Sequence, residues 1–299
     1  MEDIKITFLG TGNAIPTRLR NHTGILLSFL NENILIDCGE GIQRQFKIAS
    51  ISPTKLTRIL ITHWHGDHIL GLPGLFQSLA MSEYKKNLVL YGPRGTKEYI
   101  SRILELINGI KINLEVYEIS SGIFLENKIF ALETQHMRHG PPALAYSIML
   151  KDRIHLDKKK LKKYKLPNTP LMGQLAEGKD IVLKSKTIKA SSVSYLEKGK
   201  KVSVILDTAM NENAIKLAEK ADLLITEATF SEKEAEHAKE YLHLTSAQAA
   251  SIAKKAGVKK LILTHISERY EHSLHIIEKE AKKVFKNTSI AKDFDIIKV

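Results

Sequence analysis

The apolar positions fall into short runs with strand period, separated by longer stretches with helical period. Ile4 to Leu9 alternates and ends at Gly10-Thr11-Gly12-Asn13, a strand entering a tight turn. Gly24–Phe29, Asn33–Asp37 and the buried run Ile59–Ile61 predict three further strands. Leu88–Pro93 reads as a strand and turn, and 112–119 and 128–135 as strands. Lys201–Leu206, the run from Asp222, and Lys260–His265 complete the set. Between them, 42–50, 71–83, 96–107, 211–220 and 247–256 carry helical spacing, with Thr245 or Ser246 available as cap for the last. Strands alternating with helices predict an α/β layered fold.

Composition narrows the class. The chain has 299 residues, 43% of them hydrophobic and 26% charged, as in soluble globular proteins. No apolar run approaches the roughly 20 residues needed to span a membrane, and Met1-Glu2-Asp3-Ile4-Lys5 lacks the pattern of a signal peptide. The single cysteine, Cys38, excludes an internal disulfide and reads as buried packing, so a cytoplasmic setting is expected. The formal net charge of +12 and the pI of about 9.5 favour a polyanionic partner or a Lys-rich solvated surface.

The candidate chemistry is concentrated at Thr62-His63-Trp64-His65-Gly66-Asp67-His68, directly after the Ile59–Ile61 strand. Imidazoles and a carboxylate on a loop at a sheet edge suit Zn²⁺ and similar ions. One short loop cannot wrap all four side chains around one ion. His63 and His65 are spaced to chelate one metal, while Asp67 and His68 reach a second, in the manner of hydrolytic pairs roughly 3.5–4 Å apart. Further candidates lie downstream. His136 and His139 are both available as a third histidine, Asp207 and His265 each end a strand, and His243 precedes a helix. Asp207 also has a plain alternative as N-cap of the 211–220 helix. His22 reads as a loop residue bonding backbone, and His237, His272 and His275 as surface or packing residues.

The H-x-H-x-D-H sequence after a strand resembles the metallo-β-lactamase superfamily, implying a four-layer αββα sandwich. Five ordered motifs narrow the resemblance: Gly10–Gly12 with Pro16 and Arg20-Asn21; Asp37–Gly41 with Gln43 and Gln45; Ile61–Gly74; Asp207-Thr208 with His243; and His265 to Tyr270. In this order, over residues 4 to about 285, they resemble ribonuclease Z. The chain departs from that family's pattern at Ile205-Leu206, where Ser-Gly is usual, and at Ala145, which stands in a glycine's place.

The resemblance implies that His63, His65 and His139 hold a first Zn²⁺, that Asp67, His68 and His265 hold a second, and that Asp207 bridges them. Mn²⁺ or Fe fits the same ligands. His139 rather than His136 is chosen because it precedes Tyr146 by seven residues. Asp67 would orient a metal-activated hydroxide, His243 would protonate the leaving 3′ oxygen, Arg269 would meet the scissile phosphate, and Glu227 falls near the site. The implied reaction removes the 3′ trailer from precursor tRNA and leaves a 5′-phosphorylated trailer.

A basic arm is also implied, inserted at 151–195 in a single domain of residues 1–299. The stretch 151–165 holds eight Lys or Arg against two Asp, and Leu156, Leu161, Tyr164 and Leu166 give it a weak apolar stripe. Leu171–Leu175 matches the family's arm tip, whereas Pro167-Asn168-Thr169-Pro170 replaces its glycine-proline step. The arm would grip tRNA, commonly across a homodimer. The alternatives are a small-molecule phosphodiesterase or thioesterase on the same scaffold, and a noncatalytic RNA-binding relative.

Overall fold

A computed structural model describes residues 3–108, 111–163, 171–183 and 186–299. The expected strands form, Gly24–Phe29 with its bounds unchanged and the others moved by one or two residues. Six of them are β1 (Lys5–Gly10), β2 (Gly24–Phe29), β3 (Glu32–Ile36), β4 (Arg58–Leu60), β5 (Asn87–Gly92) and β6 (Asn113–Glu118). The chain then crosses to β7 (Gly122–Glu126), β8 (Phe130–Met137) and β9 (Ala143–Leu150). Two short ribbons follow, pairing β10 (Arg153–Leu156) with β13 (Ser194–Glu197) and β11 (Ile181–Leu183) with β12 (Lys186–Ile188). The remaining strands are β14 (Lys201–Ile205), β15 (Leu223–Glu227), β16 (Leu261–Thr264), β17 (Thr288–Ile290) and β18 (Ile296–Lys298).

Among the described residues these make two seven-stranded sheets, ordered β18-β1-β2-β3-β4-β5-β6 and β17-β16-β15-β14-β9-β8-β7. Strand parity explains how they stack. Ile25 and Leu27 of β2, and Ile34 and Ile36 of β3, face Leu144, Tyr146, Val202, Val204 and Ile225 of the other sheet. The intervening residues Leu26 and Leu35 face outward and are covered by Ile42, Phe46, Leu75 and Phe76 of the helices Ile42–Ile48 and Leu72–Met81. The outer face of the second sheet packs on Leu217, Ala249, Ile252 and Ile277 from the helices Glu212–Ala218, Ser246–Ala256 and Leu274–Val284. With both faces of each sheet buried, the strands read as nearly continuous apolar runs. The layers are therefore helix, sheet, sheet, helix.

The helix caps correct one alternative and decide another. Asn211, not Asp207, caps Glu212–Ala218, its side chain accepting from the Ala214 amide. Thr245 caps Ser246–Ala256 in a reciprocal capping box with Gln248. His275 lies on the Leu274–Val284 helix, whereas His272 precedes it. Both are exposed, as is His237. His22 bonds the carbonyl of Ala14, and Cys38 is fully buried.

The ribbons at 153–197 enclose a small core of their own, in which Leu161, Leu175, Ile181, Ile188, Ala190 and Val193 are buried. Leu161 sits on a helix, Lys158–Lys163, whose Lys158, Lys159, Lys160 and Lys162 are exposed. Tyr164, Leu166 and Pro167–Pro170 lie outside the described residues. No helix among the described residues is long and apolar enough to cross a membrane.

Candidate metal centre

The side chains singled out in the sequence gather at one end of the sandwich, each delivered by a strand terminus. β4 runs into His63, His65, Asp67 and His68, the β8–β9 turn carries His139, β14 ends at Asp207, and β16 at His265. Two bonds brace these loops across the sheets. The Leu144 amide donates to the carbonyl of Thr62 at 2.9 Å, and the Tyr146 hydroxyl donates to that of Ile61 at 2.6 Å. Backbone also approaches backbone closely here. A Cβ on Gly71 would lie 2.0 Å from the Gly39 carbonyl oxygen, and one on Gly39 would lie 2.5 Å from that of Asp67. The glycines of both motifs thus let the loop after β3 press against the histidine loop.

Two sets of donor atoms emerge. His65 Nδ1 stands 3.0 Å from His63 Nε2 and 3.1 Å from His139 Nε2. His68 Nε2 and His265 Nε2 are 3.3 Å apart, and Asp67 Oδ2 is 3.2 Å from the first and 3.3 Å from the second. Two nitrogens bound tetrahedrally to one Zn²⁺ at 2.0–2.1 Å are separated by about 3.3 Å. Asp207 faces both sets. Its Oδ1 lies 3.3 Å from His68 Nε2 and 3.2 Å from His265 Nε2, while its Oδ2 lies 3.6 Å from His63 Nε2 and 3.8 Å from His139 Nε2.

The donor chemistry fits divalent metal. Asp207 Oδ1 is buried and has no hydrogen-bond partner. The outward nitrogens, by contrast, are occupied. His68 Nδ1 bonds Asp37 Oδ2 at 2.6 Å, His265 Nδ1 bonds Thr229 Oγ1 at 3.0 Å, and His139 Nδ1 lies 3.3 Å from the Leu242 carbonyl. Such outer bonds fix the tautomer and aim the free nitrogen inward. Charge points the same way. Burial disfavours a proton on His68, yet Asp207, Asp37 and Asp67 together push its pKa well above the ordinary value. Burial acts against ionised Asp67 too, and His68 and His265 overcome it to hold the carboxyl well below the usual range. At this set the carboxylates draw in positive charge; at the other, burial holds His63 and His139 below the ordinary value, which keeps their imidazoles neutral with lone pairs free to bind a cation.

Of the nine described non-glycine residues with positive φ, three belong to the site. Asp37, Asp207 and His265 adopt positive φ of 57°, 25° and 54°. Non-glycine residues held in this region cost of order 1–3 kcal/mol each and concentrate where function requires them. Leu206, in the place of the family's glycine, is buried in the core between the sheets.

His136 is outside the cluster, its Nε2 being 2.9 Å from Ser120 Oγ. His243 sits at the rim, with Nδ1 3.1 Å from both Glu227 oxygens and Nε2 3.9 Å from Asp207 Oδ2. Burial lowers the His243 pKa, but the charges of Glu227 and Asp207 prevail and push it up to about 9. Arg269 is not brought among the candidate ligands. Its guanidinium bonds Glu234 at 2.7 Å and lies 5.8 Å from the Phe230 ring, which also meets His243 at 6.0 Å and His237 at 6.3 Å.

The supporting residues were the ones missed from sequence. Asp37 accepts from the amide and hydroxyl of Thr62, at 2.7 Å each, as well as bonding His68. The available signals were its place at the head of the Asp37–Gly41 motif and its position directly after β3, much as Asp207 follows β14. Asp37→Asn is expected to weaken divalent-metal binding about 10–100-fold, the usual cost of losing such an orienting carboxylate. Chelator competition measures it, and unchanged affinity would remove Asp37 from this role.

Two sheets packed face to face, with a His/Asp metal site at one end, define a protein of the metallo-β-lactamase fold. The YhfI metallo-β-lactamase fold protein of Bacillus subtilis superposes with a TM-score of 0.73 at 20% identity, over 100% of both chains. The short form of human tRNase Z does so with a TM-score of 0.71 at 25% identity, over 98% of each. In sequence, the chain is 41% identical over 308 residues to ribonuclease Z of Listeria monocytogenes, covering 99% of both. It is 37% identical to that of Nanoarchaeum equitans, covering 98% of this chain and 92% of the relative. Residues 4–166 match the family described as Anti-Pycsar protein Apyc1. The chain belongs to the ribonuclease Z family, and its residues 4–166 fall within the Apyc1 family as well.

Proposed function

We propose that this protein is a metal-dependent endoribonuclease that cleaves the 3′ trailer from precursor tRNA. The observation that carries the reading is the disposition of Asp207, with one oxygen toward each of two donor sets. His63, His65 and His139 would hold one divalent ion, Asp67, His68 and His265 a second, with Asp207 shared and zinc the metal expected from the ligand chemistry. Such a pair, when bound, acidifies water and stabilises charge on a phosphodiester.

The chain's own residues supply the rest. Asp67 stays ionised and can orient an attacking water. Glu227 accepts from His243 Nδ1 and favours the imidazolium, which leaves Nε2 with a proton to give to the departing 3′ oxygen. Arg269 is half-exposed and one aromatic ring away from His243, so a substrate phosphate can compete with Glu234 for its guanidinium. The decisive experiment incubates the purified protein with precursor tRNA and metal and maps the cut. A single break leaving a mature 3′-hydroxyl and a 5′-phosphorylated trailer is expected. Hydrolysis of bis-p-nitrophenyl phosphate with no cleavage of precursor tRNA would favour a small-molecule phosphodiesterase instead.

The segment 151–195 is read as a tRNA-binding arm within one domain of residues 1–299, in a cytoplasmic homodimer whose stoichiometry sedimentation would give. Replacing Lys158, Lys159, Lys160 and Lys162 by Ala should raise KM for precursor tRNA about tenfold or more and flatten its salt dependence, since each lysine on a phosphate releases counterions. Equal losses on precursor tRNA and on bis-p-nitrophenyl phosphate would reject the arm.

A further inference from the structure

A cleft of about 410 Å³ is lined by residues of the two loops that carry His63, His65 and His139 and by the helix Thr96–Leu106 with the turn before it. Trp64, the residue between His63 and His65, lines it, and so do Pro141-Pro142, which begin two residues beyond His139. Both stretches are thus continuous with ligand-bearing loops. Trp64 is held in place: its indole N–H donates to Thr96 Oγ1 at 3.0 Å, and its ring stacks on Tyr99 at 4.6 Å with an interplanar angle of 14°. Tyr99 is nevertheless 44% exposed. Arg94 and Arg102 line the same cleft. Arg102 is paired with Glu98, which also lines it. Arg94 is exposed and pairs with no described residue. The nearby helix start is not the anion site, because Glu118 already accepts from the amides of Gly95 and Lys97 at 3.1 Å each.

A fixed, partly exposed aromatic pair with an unpaired arginine beside it is the arrangement that binds single-stranded nucleic acid, the ring taking a base and the cation its phosphate. We infer that the cleft bounded by Trp64, Tyr99, Arg94 and Pro141-Pro142 is a nucleotide subsite that stacks the unpaired base next to the scissile phosphate. The inference rests on the endoribonuclease reading above. The base comes from one of two sources, the last unpaired nucleotide of the tRNA or the first of the trailer. Stacking recognises either without regard to its sequence.

The test compares precursor tRNAs carrying one abasic nucleotide, placed immediately 5′ or 3′ of the cut, with the intact substrate. The unmodified enzyme should lose about tenfold in kcat/KM at one of the two positions, which identifies the source. Tyr99→Ala should lose that discrimination and cleave abasic and intact substrates alike, whereas Tyr99→Phe should keep it. Arg94→Gln should reduce the slope of log KM against log salt by about 0.7. If neither abasic substrate is impaired, or if Tyr99→Ala discriminates as the parent does, the subsite is refuted while the endoribonuclease stands. If the unmodified enzyme does not cut intact precursor tRNA, the reading beneath fails and the subsite falls with it.

Discussion

Asp207→Ala is expected to remove bound metal and reduce precursor tRNA cleavage by more than about a thousandfold. The magnitude follows from what a shared cation pair contributes, several kcal/mol of charge stabilisation at roughly tenfold per 1.4 kcal/mol. Asp207 is 3% exposed, and each of its oxygens faces a different donor set, so under the proposed assignment its loss takes a ligand from both. Alanine removes the carboxylate and also leaves a residue at φ 25° without the side chain that justifies the strain. Asp207→Asn separates these effects. Asparagine tolerates left-handed backbone and keeps the shape, but it is neutral and turns an amide group toward His68 and His265 or toward His63 and His139. It should match alanine in metal loss while unfolding closer to the parent. Metal analysis by mass spectrometry alongside a cleavage assay reads both. A fully metallated Asp207→Asn protein with parental turnover would show that the carboxylate does not bridge.

How far the fold could be read from sequence depended on how local each cause was. The strands of the core were visible because burial on both faces leaves little but Ile, Leu and Val, as in β2, β3 and β16. Candidate ligands were visible because they cluster just after strands, in the loop beyond β4 and following β14 and β16. What depends on distant partners was not. The weak apolar stripe through Leu161 does not announce that Leu161 joins a separate small core with Leu175 and Val193. Asp37 looked like one more strand-terminal acid until β3 and β4 lay parallel and put it against Thr62 and His68. The choice of His139 over His136 came from family spacing, and the physical reason is the β8–β9 register. His136 is still paired within the sheet, opposite Leu144, while His139 lies in the turn, free to swing toward His65. The Arg269–Glu234 pair and the stacked Trp64 and Tyr99 are side-chain choices between surface elements, which periodicity does not encode.

The other large effect is expected at His243. His243→Ala should lower kcat by about 10²–10⁴ while metal content and KM change little, the range typical of losing a positioned proton donor. The imidazole is held by Glu227, not by the ligand set: Nδ1 bonds Glu227, whereas Nε2 stops 3.9 Å from Asp207. Glu227 is itself fixed by the Thr208 amide at 2.6 Å and the Thr229 hydroxyl at 2.7 Å, so the ring has one orientation. The sign of the pH dependence follows. An acid works in its protonated form, so activity is full below the His243 pKa and falls as pH rises through it. Glu227 and Asp207 raise that pKa to about 9 against the opposing effect of burial. Glu227→Gln removes one of the two charges and should move the alkaline fall of kcat to lower pH, with only a modest loss at pH 6. If the alkaline limb stays in place in Glu227→Gln, or His243→Ala cleaves at the parental rate, the proton given to the 3′ oxygen comes from elsewhere.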